Sequence, residues 1–480
     1  MCGICFCLGE FEGCGNAWVK KLENRGPESI KYLKLNNASM GFTRLAINGL
    51  NENGMQPFEK DGTYWMCNGE IYNWKSFDFL PTPNSQSDCE ILGSLYQCYS
   101  DNLTSFFRAL DGVFSLVILD TVRELVIVGR DPYGVRPLYK GYSKDGNIYF
   151  VSEIKSIIDL CYKIIPFTPG TYEVWNLKTK TLLEEKKYHE VPWIKNPSYS
   201  SPSGLDLACT SLRFGLEEAV RKRMLTERPV AALLSGGIDS SLIAALVQKN
   251  LQKANLPPLK TFSIGMAGSV DILYAKMVAK WIKSDHTEII LTADKFFEAI
   301  PQVICDIESF DTTTVRASVG NWLICKEIKK TECRVVFNGD GSDEVFGSYL
   351  YFYNAPNAIS FEEESDRLLR DMHLYDIRRS DGSISSHGLE PRTPFLDKQF
   401  VAIARSIDTK FRQPIKGKQV EKWILRKAFD DGEILPKDVI WRRKEAFSDG
   451  VSSAEKSWYE EIQERVKSLI PLDWKTKTFD

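Results

Sequence analysis

Short apolar runs broken by turn residues fill the first 190 positions. Val113 to Leu119 reads VFSLVIL and Leu125 to Val128 reads LVIV, with Asp120-Thr121-Val122-Arg123 between them. That pattern predicts a buried hairpin. Arg25-Gly26-Pro27, Asp131-Pro132-Tyr133-Gly134 and Pro169-Gly170 punctuate the region as turns. The pattern changes after Asn196 to Gly204, NPSYSSPSG, which has linker composition. Beyond it, Leu205, Cys209, Leu212, Leu216 and Val220 recur at helical spacing, with Asp206 placed to cap. Val230 to Leu234 reads as a strand, Ser241 to Lys249 as a helix and Leu259 to Ile264 as a strand. Such a βαβ unit implies a parallel sheet. Val420 to Phe429 (VEKWILRKAF) reads as a later helix. The predicted organisation is a strand-rich unit over 2–190, a linker over 191–204 and a mixed helix–sheet unit over 205–480.

Composition narrows the class. The length of 480 residues suggests two to four domains at roughly 100–200 residues each. Lys+Arg 61 against Asp+Glu 64 leaves a formal net charge of -3, which speaks against a nucleic-acid partner. Twelve cysteines form no paired framework of zinc-site spacing, so reduced thiols in a cytoplasmic protein are expected. The start, MCGICF, lacks a basic segment, and no run nears 18 apolar residues. Neither a secretory signal nor a membrane span is expected.

Cys2 is the first candidate for chemistry. Removal of Met1 would give it a free α-amine of pKa about 7.7–8.0, able to take the proton of its own thiol. Only four histidines exist, at 189, 286, 373 and 387, and none falls in a core segment of the first unit. A Cys–His pair there is therefore disfavoured; a buried structural cysteine beside Cys5 and Cys7 is the plainer alternative. Arg44 offers a guanidinium for an α-carboxylate. Asn68 and Gly69 offer an amide and a backbone N–H for an oxyanion. Asp88 offers a carboxylate for an α-amine. Each has a structural alternative: a surface ion pair, a turn dipeptide, and the first turn of a helix capped by Ser87-x-x-Glu90.

Leu234-Ser235-Gly236-Gly237-Ile238-Asp239-Ser240 follows a predicted strand and opens a helix. Glycines there let backbone N–H groups approach phosphate, and the helix N-terminus favours anions. The spacing and lysine of a Walker A loop are absent. A second strand runs into Asn338-Gly339-Asp340-Gly341-Ser342-Asp343-Glu344, whose three carboxylates suit a metal-binding or solvated turn, or a general base.

The order of motifs carries a resemblance. MCGI, NRGPE, RLAI, NGEIYN, SDCE, LDGVFSL, RDPYGVRPLY and SEIKS, within residues 1–156, resemble the glutaminase domain of class II amidotransferases, the N-terminal-nucleophile family. SGGIDS is similar to the PP-loop of ATP pyrophosphatases. Thr313 to Ser318, Tyr349 to Phe352, Pro391 to Lys398 and Arg442 to Gly450 extend the likeness, over nearly all of the chain, to the glutamine-dependent asparagine synthetases. The resemblance implies an α+β sandwich of αββα layers followed by an α/β parallel-sheet PP-loop domain. It implies catalytic roles for Cys2, Asn68, Gly69, Asp340 and Lys444. The implied glutamine site is Arg44, Leu45, Ala46, Ile47, Asn48, Asn68, Gly69, Glu70 and Asp88. The implied ATP site is Leu234, Ser235, Gly236, Gly237, Asp239, Ser240, Ile264, Asn338 and Gly339. Asp340, Asp343 and Arg316 would hold an acyl-adenylate, and Asp239 and Asp343 a Mg²⁺ ion.

The implied reaction joins ATP and L-aspartate into β-aspartyl-AMP, frees ammonia from L-glutamine at Cys2 and yields asparagine, with an enclosed passage between sites. Its partners would be these small molecules, with a homodimer left open and no nucleic acid or membrane. Asp340 stands where the family usually has Glu, shortening reach by roughly 1.5 Å, and retained but slower synthesis is expected. Met55-Gln56-Pro57 stands where a His often precedes Gln-Pro; no loss is expected from that. Alternatives are a related ligase amidating another carboxylate, and an inactive regulatory homologue.

Overall fold

The computed structural model describes residues 1–191, 195–199, 201–444, 450–452 and 456–469. Among these residues three sheets form. Two are six-stranded and antiparallel, and the third is five-stranded and parallel.

The first strand shows why the antiparallel sheets stack. Gly3–Leu8 lies mid-sheet, and its side chains alternate. Ile4, Phe6 and Leu8 pack with Met66, Val117, Leu119, Val126 and Val128 of the second sheet. Cys5 and Cys7 face the other way, onto Trp18 and Val19 of the helix Gly15–Lys20. In the second sheet Gly112–Asp120 and Leu125–Arg130 form the hairpin expected from their apolar runs. Its outer face, with Cys67, Leu116 and Ile118, meets Leu92, Leu95, Phe106 and Phe107 of two helices, Ile91–Tyr99 and Leu103–Ala109. The layers are helix, sheet, sheet, helix.

The parallel sheet runs in the order Asp285–Ile290, Lys260–Gly265, Val230–Leu233, Val335–Phe337, Glu390–Arg392. The chain winds outward from Val230–Leu233 and then returns to its other side. That reversal is a topological switch point, where ligands of open α/β sheets bind beyond the strand ends. The SGGIDS and NGDGSDE loops leave adjacent strands there.

The two halves share a core. Leu45, Ile47, Tyr72, Val113, Tyr133 and Val135 of the sandwich pack in one cluster with Leu212, Leu216, Phe395 and Phe400 of the second half.

Local expectations need four corrections. The helix Pro202–Arg223 is capped by Ser201, whose hydroxyl accepts Gly204 N–H, so Asp206 lies inside the helix rather than at its cap. The helix expected at Ser241–Lys249 spans Ile238–Lys253 and begins on the glycine loop. The helix expected at Val420–Phe429 is only Trp423–Ala428, because Lys422 is left-handed, with φ 56°. Ser87 and Glu90 make no capping box: the Glu90 carboxylate accepts from Ser85 and Asn84 instead. Of the motif Arg442 to Gly450, residues 445–449 lie outside the described residues, as do 192–194 and 200 of the expected linker. No described helix is long and apolar enough to cross a membrane.

Candidate functional site

The first site sits at the seam, at the start of the chain. The Cys2 N–H donates to Asn68 Oδ1 at 3.1 Å, and Cys2 Sγ lies 3.7 Å from the Leu45 carbonyl. Asn68 is placed by pairing of Thr63–Ile71 with Gly112–Asp120. Its other side-chain atom, Nδ2, is buried and has no hydrogen-bond partner. A buried amide donor left unpaired is costly, and its presence beside a thiol suits an oxyanion site. Gly69 follows because the sheet demands it: a Cβ there would lie 2.0 Å from the Val113 carbonyl oxygen.

Arg44, Leu45, Ala46, Ile47, Asn48, Glu70 and Asp88 line the same cavity, joined by Cys67, Cys89 and Glu390. The cavity is about 30 Å³. Arg44 clasps its own loop, donating to the Asn51 carbonyl at 2.6 Å and to the Gly49 carbonyl. Asp88 accepts the Ile71 N–H at 2.7 Å, and burial pushes its carboxyl up to about 6. Burial also pushes the Cys2 thiol up to about 11, so a thiolate needs a base. Met1 is enclosed, and its terminal nitrogen stands 3.7 Å from Glu390 Oε2. Sequence reasoning missed Glu390, which precedes the quoted motif Pro391 to Lys398 and comes from the other half of the chain.

The second site is a cavity of about 360 Å³ at the switch point. Its wall holds Leu234, Ser235, Gly237, Asp239, Ser240, Ile264, Arg316, Asn338, Gly339, Asp340, Asp343 and Lys444. Gly236 is not in the wall, but the loop needs it: φ is +74° and a Cβ would meet Tyr274 at 2.4 Å.

Four residues unassigned from sequence complete this site: Lys422, Tyr349, Arg379 and Arg442. Lys422 is buried between two carboxylates, 2.5 Å from Asp239 Oδ2 and 2.6 Å from Asp343 Oδ1. Lys444 also reaches Asp343 and lies over the Tyr349 ring. Burial works to raise the Asp343 carboxyl, but Lys422 and Lys444 outweigh it and hold it well below the usual range. Arg379 stands 3.8 Å from Asp340 Oδ1, and Asn338 Nδ2 donates to Asp340 Oδ2 at 2.6 Å. Burial still raises the Asp340 carboxyl above its ordinary value. Arg442 pairs with Asp271 and donates to the Ser235 carbonyl at 3.3 Å. Lys422 was hidden because VEKWILRKAF has helical periodicity, which gives no sign of a buried ammonium.

Two carboxylates converging on one cation suit Mg²⁺, which takes few protein oxygens and completes its shell with phosphates. Among the described residues no group of three or more His, Cys, Asp or Glu could hold a metal by itself. A metal there would therefore need further ligands from outside these side chains.

Comparison with known proteins agrees with two chemistries on one chain. The profile described as "Glutamine amidotransferase domain" matches residues 1–179, and "Asparagine synthase" matches residues 211–369 and 356–477. The chain is 40% identical to the asparagine synthetase [glutamine-hydrolyzing] of Gallus gallus over 98% of its length and 88% of that protein. The enzymes of that name from Cricetulus griseus and Homo sapiens show the same identity and coverage.

Proposed function

Because the chain belongs to the glutamine-hydrolysing asparagine synthetases, we propose that it makes L-asparagine from L-aspartate, ATP and ammonia cut from L-glutamine. We assign residues 2–190 to the glutaminase unit, 191–204 to the connection and 205–480 to the synthetase.

In the glutaminase, Met1 is removed and the Cys2 amine takes the thiol proton. The thiolate attacks the glutamine amide, and Asn68 Nδ2 with the Gly69 N–H receives the oxyanion. Arg44 takes the α-carboxylate after leaving the Gly49 and Asn51 carbonyls, and Asp88 takes the α-ammonium. The Cys2 ammonium returns its proton to the leaving nitrogen, ammonia departs, and water hydrolyses the glutamyl thioester.

In the synthetase, the SGGIDS loop cradles ATP phosphates and Leu234 and Ile264 frame the base. Lys422 and Lys444 neutralise charge that builds on the departing pyrophosphate. Asp239 and Asp343 would hold Mg²⁺, which shields phosphate charge when bound. Arg316 and Asp343 orient the aspartyl-adenylate. Asp340, its carboxyl raised by burial, accepts a proton from the attacking ammonia. Free ammonia would be protonated in bulk water, so it crosses inside the shared core. Cytoplasmic residence suits the twelve free thiols.

The observation that carries this reading is the state of Asn68, held by the Cys2 N–H through one atom and left with an unpaired donor at the other. The test supplies ATP, Mg²⁺, glutamine and aspartate. Asparagine, glutamate and AMP should appear together, and Cys2→Ala should make asparagine only from ammonium. AMP without asparagine would point to a different acceptor and overturn the reading.

A further inference from the structure

The glutamine-site loop is held from the other half of the chain. Glu227 N–H donates to the Ile47 carbonyl at 3.0 Å, and Glu227 Oε1 accepts the Gly49 N–H at 2.7 Å. Arg228 Nε donates to the Ala46 carbonyl at 2.9 Å. The same guanidinium pairs with Glu28 at 2.6 Å, whose second oxygen accepts the Ala46 N–H at 2.8 Å. Ala46, Ile47 and Gly49 of the loop are thus fixed by two residues of the synthetase half.

The anchor is itself braced. Thr226 Oγ1 accepts the Arg228 N–H at 2.9 Å and donates to the Arg228 carbonyl at 3.1 Å. The Pro229 carbonyl accepts the Arg334 N–H at 3.2 Å. Val230–Leu233 starts directly after it and ends at the SGGIDS loop, while Val335–Phe337 starts directly after Arg334 and ends at the acidic loop. The loop borders the Cys2 cavity directly, through Ala46, Ile47 and Asn48.

Resting on the glutaminase assignment above, we infer that Glu227 and Arg228 are positioning residues for glutamine: the synthetase half completes the glutamine site by holding backbone 46–49 in register with Cys2 and Asn68. Neither side chain lines either cavity. Their loss loosens the glutamine loop while leaving the nucleotide site intact. Glutamine affinity should suffer before any other step.

The experiment compares wild type with Glu227→Ala/Arg228→Ala, and with Arg228→Lys. KM for glutamine is expected to rise at least about tenfold in the double variant, the size expected for losing one hydrogen bond to a charged group. Synthesis from ammonium, ATP and aspartate should stay within about twofold of wild type, as should KM for ATP. Arg228→Lys keeps the charge but cannot bridge Ala46 and Glu28 as a fork, so its KM should fall between. An unchanged KM for glutamine in the double variant would overturn the inference. An equal fall in the ammonium reaction would overturn it too, by making 226–229 a support of the whole fold. A wild-type protein inactive with both ammonium and glutamine would instead overturn the functional reading beneath it.

Discussion

The Arg392 guanidinium stands 3.4 Å from Glu70 in the wall of the Cys2 cavity, while the Arg392 backbone carbonyl accepts the Asn338 N–H at 3.1 Å. One fully buried residue therefore touches the Cys2 cavity with its side chain and the wall of the second cavity with its backbone. Its Nε also binds Glu390 at 2.6 Å. Arg392→Ala would leave two buried carboxylates short of a counter-charge. We expect a stability loss of about 3–5 kcal/mol in denaturant unfolding. A loss under about 1 kcal/mol would mean that neighbours such as Arg136 already neutralise the pair.

Asn68→Ala removes the unpaired donor without touching the second site. Glutaminase kcat should fall roughly 10²–10³-fold, with ammonium-dependent synthesis unchanged. Steady-state assays of glutamate release test this. A change confined to KM would place Asn68 in substrate binding and not at the oxyanion.

Lys422→Met should slow ATP–pyrophosphate exchange roughly 10²-fold and leave basal glutamine hydrolysis intact. Asp239 and Asp343 lose a shared cation in that variant, so added Mg²⁺ should recover part of the rate. Exchange at the wild-type rate would reduce Lys422 to a structural counter-ion.

Asp340→Glu adds the methylene that the resemblance to the family implies at this position. Ammonium-dependent synthesis should rise, by up to about tenfold, if the shorter side chain misplaces the carboxylate by roughly 1.5 Å. An unchanged rate would show that the Asn338 hydrogen bond and Arg379 already set Asp340 where it is needed.

Acid should loosen the seam. Asp397 accepts from Lys222 at 2.7 Å and Arg223 at 2.9 Å, and Lys222 also reaches Asp111 of the sandwich at 2.9 Å. Burial favours the protonated acid, but the two cations prevail and lower its pKa from 3.8 to about 2. The unfolded chain then binds the proton at a higher pH than the folded one. The contribution, about 2 kcal/mol, is present above about pH 4 and disappears as pH falls towards 2. Asp397→Asn should flatten the stability profile across that window. A profile parallel to wild type would remove Asp397 from the acid response.

What could be read from the chain alone followed from local rules. Alternating and continuous apolar runs announced the hairpin of Gly112–Asp120 with Leu125–Arg130, and glycine placement announced a loop between the strand Val230–Leu233 and the helix Ile238–Lys253. Motif order announced the family. Helix ends were read less well. Ser201 outcompetes Asp206 as a cap because the helix starts at Pro202, and left-handed Lys422 shortens a helix whose periodicity looked continuous.

The order of residues dictates which reactive groups the protein owns: a cysteine at position 2, an Asn-Gly pair, a glycine loop and a run of carboxylates, all consecutive or nearly so. What stands opposite them is set by packing. Glu390 beside Cys2, Lys422 between Asp239 and Asp343, and Glu227 and Arg228 across from the loop 46–49 come from segments far away along the chain. Charge pairing across such distances leaves no periodic trace, because it depends on where packed layers bring side chains and not on the spacing between them.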